Sequence, residues 1–267
     1  MEKNLTGQIV LVTGANRGIG KQLALDLAAA GATLVLSARN ETTLADVAQM
    51  INNAGGQCEC VSLDVTQEKM VVSVVNNTVF RYGRIDLLVN NAGITAGSEY
   101  PWDLPVDEWW AVQEVNVRGV YLCTQAVMRH MTQQKSGRII DVGSLVGANP
   151  NPGASPYSVS KAALFRWNSC LAVAAKDFGV SVFIISPGLV ATDMTNRPQF
   201  ANIPEDQWVP IEKSGQLVVA LASGIADKLS GRFIHALDDL NLLIENADEI
   251  VEQNLQSLTM NTFDDSF

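Results

Sequence analysis

The chain has 267 residues, 47% of them hydrophobic and 17% charged, which is enough apolar material for one large α/β domain. The formal net charge of −10 argues against nucleic acid and anionic membranes as main partners. The N-terminus lacks the apolar segment of a signal peptide and no run of 18 apolar residues occurs, so the sequence predicts a soluble, cytoplasmic protein with no membrane partner.

Short, nearly continuous apolar runs alternate with longer amphipathic stretches. The apolar runs end at Gly, Pro, Asn or Ser and predict strands buried on both faces, over residues 8–14, 33–38, 60–65, 85–93, 137–144, 180–188 and 232–237. The amphipathic stretches predict helices over 18–30, 41–54, 67–82, 107–133 and 156–178. This alternation predicts an α/β fold, a three-layer Rossmann-type doubly wound parallel sheet in a single domain.

Two segments lack clear periodicity. Residues 189–212 contain several prolines, and long irregular segments in compact domains often form binding loops or lids. We therefore expect a substrate loop there, within a domain that spans residues 1–237. Residues 238–267 form an acidic tail, for which the sequence predicts a short helix followed by a frayed end.

The cysteines and histidines predict no metal site. The two histidines lie far apart, and the four cysteines lack the C-x-x-C spacing of zinc or redox sites: Cys58, Cys60, Cys123 and Cys170. Cys58 and Cys60 share a predicted strand, where we expect buried free thiols. This cysteine usage is typical of a reducing compartment.

A glycine-rich turn, T-G-A-N-R-G-I-G at residues 13–20, separates the first strand from the first helix. Gly14, Gly18 and Gly20 follow a G-x-x-x-G-x-G spacing, which differs from the G-x-G-x-x-G dinucleotide fingerprint. Glycines let the backbone approach a pyrophosphate, which binds to free N–H groups at a helix N-terminus. A plain structural turn is the alternative, but the position between strand and helix favours a dinucleotide site.

The end of the second strand indicates which dinucleotide binds. NAD sites commonly carry an acidic residue there for the ribose 2′-hydroxyl, whereas this chain has Ser37 and Arg39. A guanidinium can bind a 2′-phosphate in bidentate fashion, and Arg17 in the glycine turn offers a second cation. Solvated surface arginines are the alternative interpretation. The pattern favours NADP(H) over NAD(H).

Tyr157 and Lys161 are one turn apart on a predicted helix. Side chains at i and i+4 are neighbours, with roughly 5–6 Å between their Cβ atoms. A nearby ammonium favours the phenolate, so we expect Lys161 to lower the pKa of Tyr157 and make it a general acid or base. A surface pair on an amphipathic helix is the alternative for this spacing taken alone.

Taken together, the motifs resemble the short-chain dehydrogenase/reductase family, in its single-domain soluble branch, over about residues 5–237. They are Gly14-x-x-x-Gly18-x-Gly20, Asn90-Asn91-Ala92-Gly93, Asn116, Ser144, Tyr157-x-x-x-Lys161 and Pro187-Gly188. The resemblance implies an NADP(H)-dependent enzyme that reversibly transfers hydride between the cofactor and a small-molecule carbonyl or alcohol substrate. It also implies a homotetramer or homodimer, which the long apolar helices favour as well.

The resemblance assigns catalytic roles to four residues. Tyr157 would protonate the substrate oxygen, and Ser144 would hydrogen-bond the same oxygen. Lys161 would lower the tyrosine pKa and bind the nicotinamide ribose. Asn116 would hold a water in a proton relay to the lysine.

The resemblance also assigns a cofactor site. Asn90 would contact the adenosine-side ribose and stabilise the centre of the sheet, and Asp64 with Val65 would flank the adenine. Pro187, Gly188 and Thr192 would meet the nicotinamide carboxamide and the phosphates. The complete expected set is Gly14, Asn16, Arg17, Gly18, Ile19, Gly20, Ser37, Arg39, Asp64, Val65, Asn90, Ala92, Gly93, Tyr157, Lys161, Pro187, Gly188, Val190 and Thr192.

The substrate stays open. Trp102, Phe200 and Trp208 lie in expected pocket loops and favour a medium-sized, partly apolar ketone, unless they pack a lid or an interface. Many acyl-carrier-protein ketoreductases have Gly-Gly after the last strand, where this chain has Asp238-Asp239, which argues against a 3-oxoacyl substrate.

Three other functions are alternatives. The first is an NAD(P)-dependent alcohol, sugar or polyol dehydrogenase. The second is a catalytically silent NADP(H)-binding regulator, against which the complete Ser-Tyr-Lys set argues. The third is a structural module without cofactor, against which the glycine turn and Arg39 argue.

Overall fold

The computed structural model describes residues 4–259. Its strands are β1 Ile9–Thr13, β2 Thr33–Ala38, β3 Gln57–Ser62, β4 Leu87–Asn90, β5 Gly137–Val142, β6 Val180–Ser186 and β7 Phe233–His235. They form one parallel sheet in the order β3-β2-β1-β4-β5-β6-β7. Every residue of β1 is buried, as expected for a strand covered on both faces. The predicted doubly wound parallel sheet is confirmed.

Helices cover both faces of the sheet. They are α1 Gly18–Ala29, α2 Ala45–Asn53, α3 Glu68–Tyr82, α4 Val106–Gln113, α5 Gly119–Gln134, α6 Ser155–Ala175, α7 Ile211–Ala222, α8 Leu240–Glu245 and α9 Ala247–Glu252. Leu23 of α1, Val47 of α2 and Val218 of α7 belong to one buried cluster. Val75 of α3 and Val127 of α5 belong to a second cluster on the opposite face. The three-layer architecture is therefore confirmed.

The third strand lies three residues earlier than predicted. β3 pairs only with β2 and is the edge of the sheet, so its residues are half-buried or exposed instead of continuously apolar. Cys58 and Cys60 are half-buried on it, and the expectation of buried thiols was wrong. The apolar run that suggested a later strand contains Leu63 and Val65, which are buried just beyond the strand.

Two predicted helices are interrupted. The stretch 107–133 divides into α4, a π-helical turn over Glu114–Arg118, and α5. The stretch 156–178 divides into α6 and a short 3₁₀ turn, Lys176–Phe178. Gly179 ends that turn with φ 67°, the left-handed conformation that glycine adopts without strain.

Helix α7 was not among the predicted helices. Its sequence contains Gly215, a poor helix former. A Cβ at this position would collide with the carboxylate of Asp26, so the glycine lets α1 and α7 cross at close range. Residues 189–210 are irregular apart from short 3₁₀ turns, as their lack of periodicity indicated, and their role as a substrate loop stays a prediction.

The C-terminal tail packs against the domain as far as it is described. It forms two short helices, α8 and α9, where one was predicted. Asp239 caps α8 through hydrogen bonds from the backbone N–H groups of Asn241 and Leu242, and Ile250 is buried in the core. The predicted frayed end falls mainly on residues 260–267, outside the described residues. None of the helices in residues 4–259 is long and apolar enough to cross a membrane.

Candidate active site

The loops after β1 and β4 meet where the strand order reverses, the position at which open α/β sheets bind ligands. Gly14 has φ 65°, and a Cβ there would lie 3.0 Å from Cα of Ala92. A Cβ on Gly20 would collide with the carbonyl oxygen of Gly14 and the amide of Asn91. Both glycines are therefore required by the close approach of the two loops.

Hydrogen bonds fix this junction. Nδ2 of Asn91 donates to the carbonyl oxygens of Thr13 (2.9 Å) and Gly14 (3.0 Å). Backbone N–H groups of Asn91 and Ala92 donate to Oγ1 of Thr13, at 3.0 Å each. Sequence reasoning gave Thr13 no role and Asn91 none beyond the motif. A polar residue that ends a wholly apolar strand was the available signal.

The N-terminus of α1 fits a pyrophosphate. No side chain caps it and no acidic residue lies in its first turn, so its N–H groups and the helix dipole favour an anion. Asn16 and Ile19 are half-buried in the same turn, and Gly18 has φ 53°. The glycine cradle and the open helix end are what a dinucleotide phosphate needs.

Arg17 is paired with the substrate loop. Its Nη1 lies 2.7 Å from Oδ2 of Asp193, and both side chains are about 70% exposed. Thr192 lies on the same side, with its Cγ2 3.4 Å from the position of a Cβ on Gly18. The loop thus reaches the glycine turn next to the expected phosphate position.

The adenosine end has an exposed cation and a buried hydroxyl. Arg39 is exposed at the end of β2. Ser37 is 1% exposed; its Oγ donates to the carbonyl oxygen of Val12 (3.1 Å), and its own carbonyl accepts from the N–H of Ala15. The expected cofactor contact of the Ser37 hydroxyl is therefore corrected, since this residue supports the glycine turn from inside the sheet.

The expected adenine neighbours follow β3. Oδ1 of Asp64 accepts hydrogen bonds from the N–H (2.9 Å) and the hydroxyl (2.8 Å) of Thr66, which fixes the turn before α3. Val65 is 7% exposed and packs in the core against Gly119. Its side chain is directed inward, so a contact between Val65 and the adenine is left to the backbone, and this contact stays a prediction.

Asn90 stabilises the centre of the sheet, as expected. It is 3% exposed, and its Nδ2 donates to Oδ1 of Asp141 (2.8 Å) and to Oγ1 of Thr124 (3.1 Å). The amide nitrogen is therefore committed inside the protein. The predicted contact between Asn90 and the ribose can therefore be made only by its backbone, at the end of β4, and it stays a prediction.

Ser144, Tyr157 and Lys161 come together. Ser144 follows β5, and the other two lie on α6. Ser144 lies close enough to Tyr157 for its side chain to lower the pKa of the phenol. Nζ of Lys161 lies 5.3 Å from the centroid of the Tyr157 ring and donates to the carbonyl oxygen of Val142 at 2.6 Å.

Burial sets the charge states of this group. It raises the pKa of Tyr157 to about 12, and the side chain of Ser144 partly opposes that shift. It lowers the pKa of Lys161 to about 8, against the opposing effect of the Asp141 carboxylate. The predicted lowering of the tyrosine pKa by Lys161 is not observed, because the ammonium is directed at the Val142 carbonyl. The phenol is protonated at neutral pH.

Asn116 lies in the π-helical turn. Its Oδ1 accepts from the N–H of Ile94 (2.9 Å), and its Nδ2 donates to the carbonyl oxygen of Ile94 (2.9 Å) and Oγ of Ser160 (3.0 Å). A Cβ on Gly93 would lie 3.4 Å from Oδ1 of Asn116. The side chain thus joins the strand-β4 loop to α6, and its place in a proton relay stays a prediction.

The segment after β6 is held by its own contacts. Gly188, which follows Pro187, has φ 78°, and a Cβ there would collide with Val209. Val190 is 3% exposed. Oγ1 of Thr195 donates to the carbonyl oxygen of Val190 (2.7 Å) and accepts from the N–H of Thr192 (2.9 Å). These contacts shape the start of the substrate loop.

A cleft of about 760 Å³ lies within the substrate loop and includes Phe200 and Trp208 in its lining. Ser144, Tyr157 and Lys161 are not among its lining residues. Trp102 is 78% exposed and stacks on Tyr100 at 5.2 Å, away from the cleft. Its expected place in a pocket is therefore not supported.

Comparison with known proteins decides the family. A sequence model of the short chain dehydrogenase family matches residues 8–201. The chain belongs to this family. It is 41% identical over 214 residues to a 3-oxoacyl-[acyl-carrier-protein] reductase of Synechocystis, covering 79% of this chain and 85% of that one. It is 33% identical to the reductase FabG of Escherichia coli, covering 87% and 96%.

Solved structures agree. A short-chain type dehydrogenase/reductase from Mycobacterium marinum superposes with a TM-score of 0.82 at 33% identity, covering 87% of this chain and 95% of that one. A gluconate 5-dehydrogenase from Burkholderia cenocepacia, in complex with NADP and tartrate, gives 0.82 at 29% identity, covering 88% and 95%. The chain is an oxidoreductase that acts on CH–OH or carbonyl groups with a nicotinamide cofactor.

Proposed function

We propose that this oxidoreductase uses NADPH to reduce a ketone to an alcohol, with Tyr157 as the general acid. The observation that carries the proposal is the grouping of three residues: Nζ of Lys161 lies 5.3 Å from the centroid of the Tyr157 ring, and Ser144 acts on the Tyr157 hydroxyl. A neutral phenol has the proton that ketone reduction consumes, so its charge state fits this direction of reaction.

Each side chain has a separate task. The bound cofactor supplies hydride to the carbonyl carbon. Ser144 and Tyr157 donate hydrogen bonds to the carbonyl oxygen, which polarises the carbonyl and orients it. Tyr157 then transfers its proton to that oxygen as negative charge develops there. Lys161 stabilises the resulting phenolate and holds the nicotinamide ribose hydroxyls.

We assign the preference for NADPH to the end of β2. Arg39 is exposed there, and its neighbours Ala38 and Asn40 are not acidic, so a 2′-phosphate at the strand end meets a cation. Arg17 lies in the glycine turn and supplies a second cation. The gluconate 5-dehydrogenase, which is described with bound NADP, supports a site of this kind in the family.

Two substrate classes have support. The Synechocystis and Escherichia coli relatives are 3-oxoacyl reductases, which favours a 3-oxoacyl thioester. The gluconate 5-dehydrogenase favours a hydroxy acid oxidised to a keto acid. We propose the ketone of a medium-sized, partly apolar molecule, because Phe200 and Trp208 line the cleft of the substrate loop. This loop would belong to a catalytic domain of residues 1–237, with 238–267 as its tail.

A substrate panel tests the proposal. Purified protein is first titrated with NADPH and NADH by nicotinamide fluorescence, and then assayed with ketones, 3-oxoacyl thioesters and hydroxy acids at the NADPH absorbance band. We expect tighter NADPH binding and turnover of at least one carbonyl class. Binding without any turnover would favour the silent regulator, and absence of binding would favour a structural module.

We also propose a cytoplasmic homodimer or homotetramer. Four free cysteines fit a reducing compartment. A groove of about 350 Å³ on α4 to α6 is lined by Trp110, Val117, Tyr121 and Trp167 and is mainly apolar, which is typical of a subunit interface. Light scattering should give a multiple of the 28.7 kDa chain mass, and a monomer at micromolar concentration would contradict the assignment.

A further inference from the structure

A carboxylate lies in the middle of the sheet, in a place where charge is costly. Asp141 is on β5 and is fully buried, between the apolar residues Ile140 and Val142. An unpaired charge would not be stable in such surroundings. The proposed reaction gives Asp141 no chemical step, and its sequence signal is an acid within an apolar strand.

Two amides hold this carboxylate. Oδ1 accepts from Nδ2 of Asn90 on β4 (2.8 Å), and Oδ2 accepts from Nδ2 of Asn168 on α6 (3.1 Å). Since a carboxylate only accepts, both amides turn their donors toward it. Their own Oδ1 atoms have no hydrogen-bond partner within residues 4–259. The amides are thus oriented for an anion.

Asn168 and Lys161 attach α6 to adjacent residues of β5. They are seven residues apart on the helix, which is two turns, so they share one face. Lys161 donates to the carbonyl oxygen of Val142, and Asn168 donates to Asp141. Two attachments of this kind fix both the rotation and the axial position of α6. They thereby set Tyr157, on α6, against Ser144, which follows β5.

We propose that Asp141 is a positioning residue that places a carboxylate opposite Lys161 and holds α6 in register with Ser144. This inference rests on the proposed function of Tyr157 and Lys161. The ionisable groups that face Asp141 are Lys161 from α6 and the Cys123 thiol from α5. Lys161 is faced by Asp141 from β5 and by Tyr157 on its own helix.

The charge of Asp141 should shift the pKa of Lys161 in a definite direction. Burial raises the pKa of Asp141, and the hydrogen bonds from Asn90 and Asn168 and the charge of Lys161 oppose that shift and favour the carboxylate. Burial lowers the pKa of Lys161, and the Asp141 carboxylate opposes that shift in turn. Without the carboxylate, the lysine would lose its proton at a lower pH. Both NADPH binding and the fall of activity at alkaline pH should therefore respond to Asp141, although it touches neither substrate nor cofactor.

The test compares Asp141→Asn with Thr124→Val. The first removes the charge at nearly constant volume, and either amide neighbour can rotate to accommodate it. The second removes the hydroxyl that accepts from Asn90 and leaves the carboxylate in place. Measurements are kcat/KM for NADPH, which reports free-enzyme groups, and the NADPH dissociation constant by fluorescence, both from pH 6 to 10.

For Asp141→Asn we expect the alkaline midpoint of both quantities to fall by about one pH unit, the scale on which a nearby opposite charge acts. For Thr124→Val we expect lower thermal stability and an unchanged midpoint. An unshifted midpoint in folded Asp141→Asn would overturn the inference. If that variant does not fold, Asn168→Leu decides: it removes one donor to the carboxylate, and the midpoint should move the same way by a smaller amount, whereas no shift would overturn the inference.

Failure of the Asp141 inference can be distinguished from failure of the proposed function. If Tyr157→Phe kept wild-type turnover, the proposed function would fail, whatever Asp141→Asn did. If Tyr157→Phe were inactive and Asp141→Asn kept the wild-type midpoint, only the role of Asp141 would fail.

Discussion

The two ends of the candidate cofactor site use charge in opposite settings. At the nicotinamide end, Lys161 is 5% exposed and its ammonium is hydrogen-bonded inside the protein. At the adenosine end, Arg17 and Arg39 are exposed to solvent. Charges interact more strongly in the interior, where water screens them less. The buried end should therefore govern catalysis and pH dependence, and the exposed end should adjust cofactor choice by smaller, salt-sensitive amounts.

Removal of the proton donor should have the largest effect. Tyr157→Phe keeps the half-buried ring and deletes the hydroxyl, so kcat should fall by roughly 10²–10⁴-fold, the typical contribution of general acid catalysis. NADPH binding should survive, because the change removes no positive charge. Steady-state kinetics and a fluorescence titration measure the two quantities.

Tyr82→Phe is the matched control, since Tyr82 bonds to Glu59 in another part of the molecule. It should retain full turnover. Near-wild-type kcat in Tyr157→Phe would refute the assignment of the general acid.

Removal of the buried Lys161 ammonium should have the second largest effect on function. Lys161→Met should weaken NADPH binding roughly 10- to 100-fold, because a charge-assisted hydrogen bond contributes about 1.5–3 kcal/mol. Since the pKa of Lys161 is lowered to about 8, wild-type activity should decline above that pH. The variant lacks this group, so its residual activity should decline only at higher pH. A pH–activity profile identical to wild type would exclude Lys161 as the group responsible for the alkaline decline.

The pH dependence of the free energy of unfolding tests the same residue independently. The pKa of Lys161 is lowered from 10.5 to about 8 in the folded protein. Between these values the unfolded chain binds the proton and the folded chain does not, so this group makes the free energy of unfolding rise with pH. Lys161→Met should lack that rise between pH 8 and 10 in urea titrations. An identical rise in both proteins would contradict a lowered pKa of Lys161 in the folded state.

The fold was predictable where the sequence pattern reflects burial alone. β1, β2 and β6 are covered on both faces, and their continuous apolar runs identified them. β3 was misplaced because an edge strand is half-exposed and resembles a loop in composition. Helix α7 was missed because Gly215 lowers helix propensity, while the benefit of that glycine, close packing on α1, is visible only in three dimensions.

The site was predictable where the chemistry depends on residue type and spacing. Tyr157 and Lys161 could be paired from their i, i+4 relation, and Ser144 from its place at a strand end. The charge states could not be predicted, because they depend on burial and on where the Lys161 ammonium points. The hydrogen bond from Ser37 into the sheet and the two amide hydrogen bonds to Asp141 likewise depend on contacts between distant segments.

At the exposed end, cofactor choice should depend on Arg39. Arg39→Ala should raise the KM for NADPH several-fold and leave the KM for NADH nearly unchanged, because only NADPH has the 2′-phosphate. Exposure places the contact toward the lower end of the 1.5–3 kcal/mol range, and added salt should reduce the difference. Arg129→Ala, at an exposed position on α5, controls for loss of one positive charge. Equal effects on both cofactors would exclude a 2′-phosphate contact.

The smallest expected effect is that of the ion pair across the site entrance. Arg17 is hydrogen-bonded to Asp193 at 2.7 Å, and both side chains are about 70% exposed. An exposed pair contributes about 0–1 kcal/mol, so Asp193→Asn should leave thermal stability almost unchanged. It should also release Arg17 from its competing carboxylate. The KM for NADPH should then fall, by about twofold at low ionic strength, given the weakness of such pairs.

The salt dependence and a control make this small effect interpretable. At 0.5 M salt the difference should vanish, because the Debye length is then far below the about 10 Å found at 0.1 M. Asp206→Asn removes the same charge from an exposed position of the same loop and should leave the KM for NADPH unchanged. A rise in the KM for NADPH in Asp193→Asn alone would reverse the conclusion. Asp193 would then act by holding the substrate loop over the glycine turn, and the exposed pair would assist cofactor binding instead of competing with it.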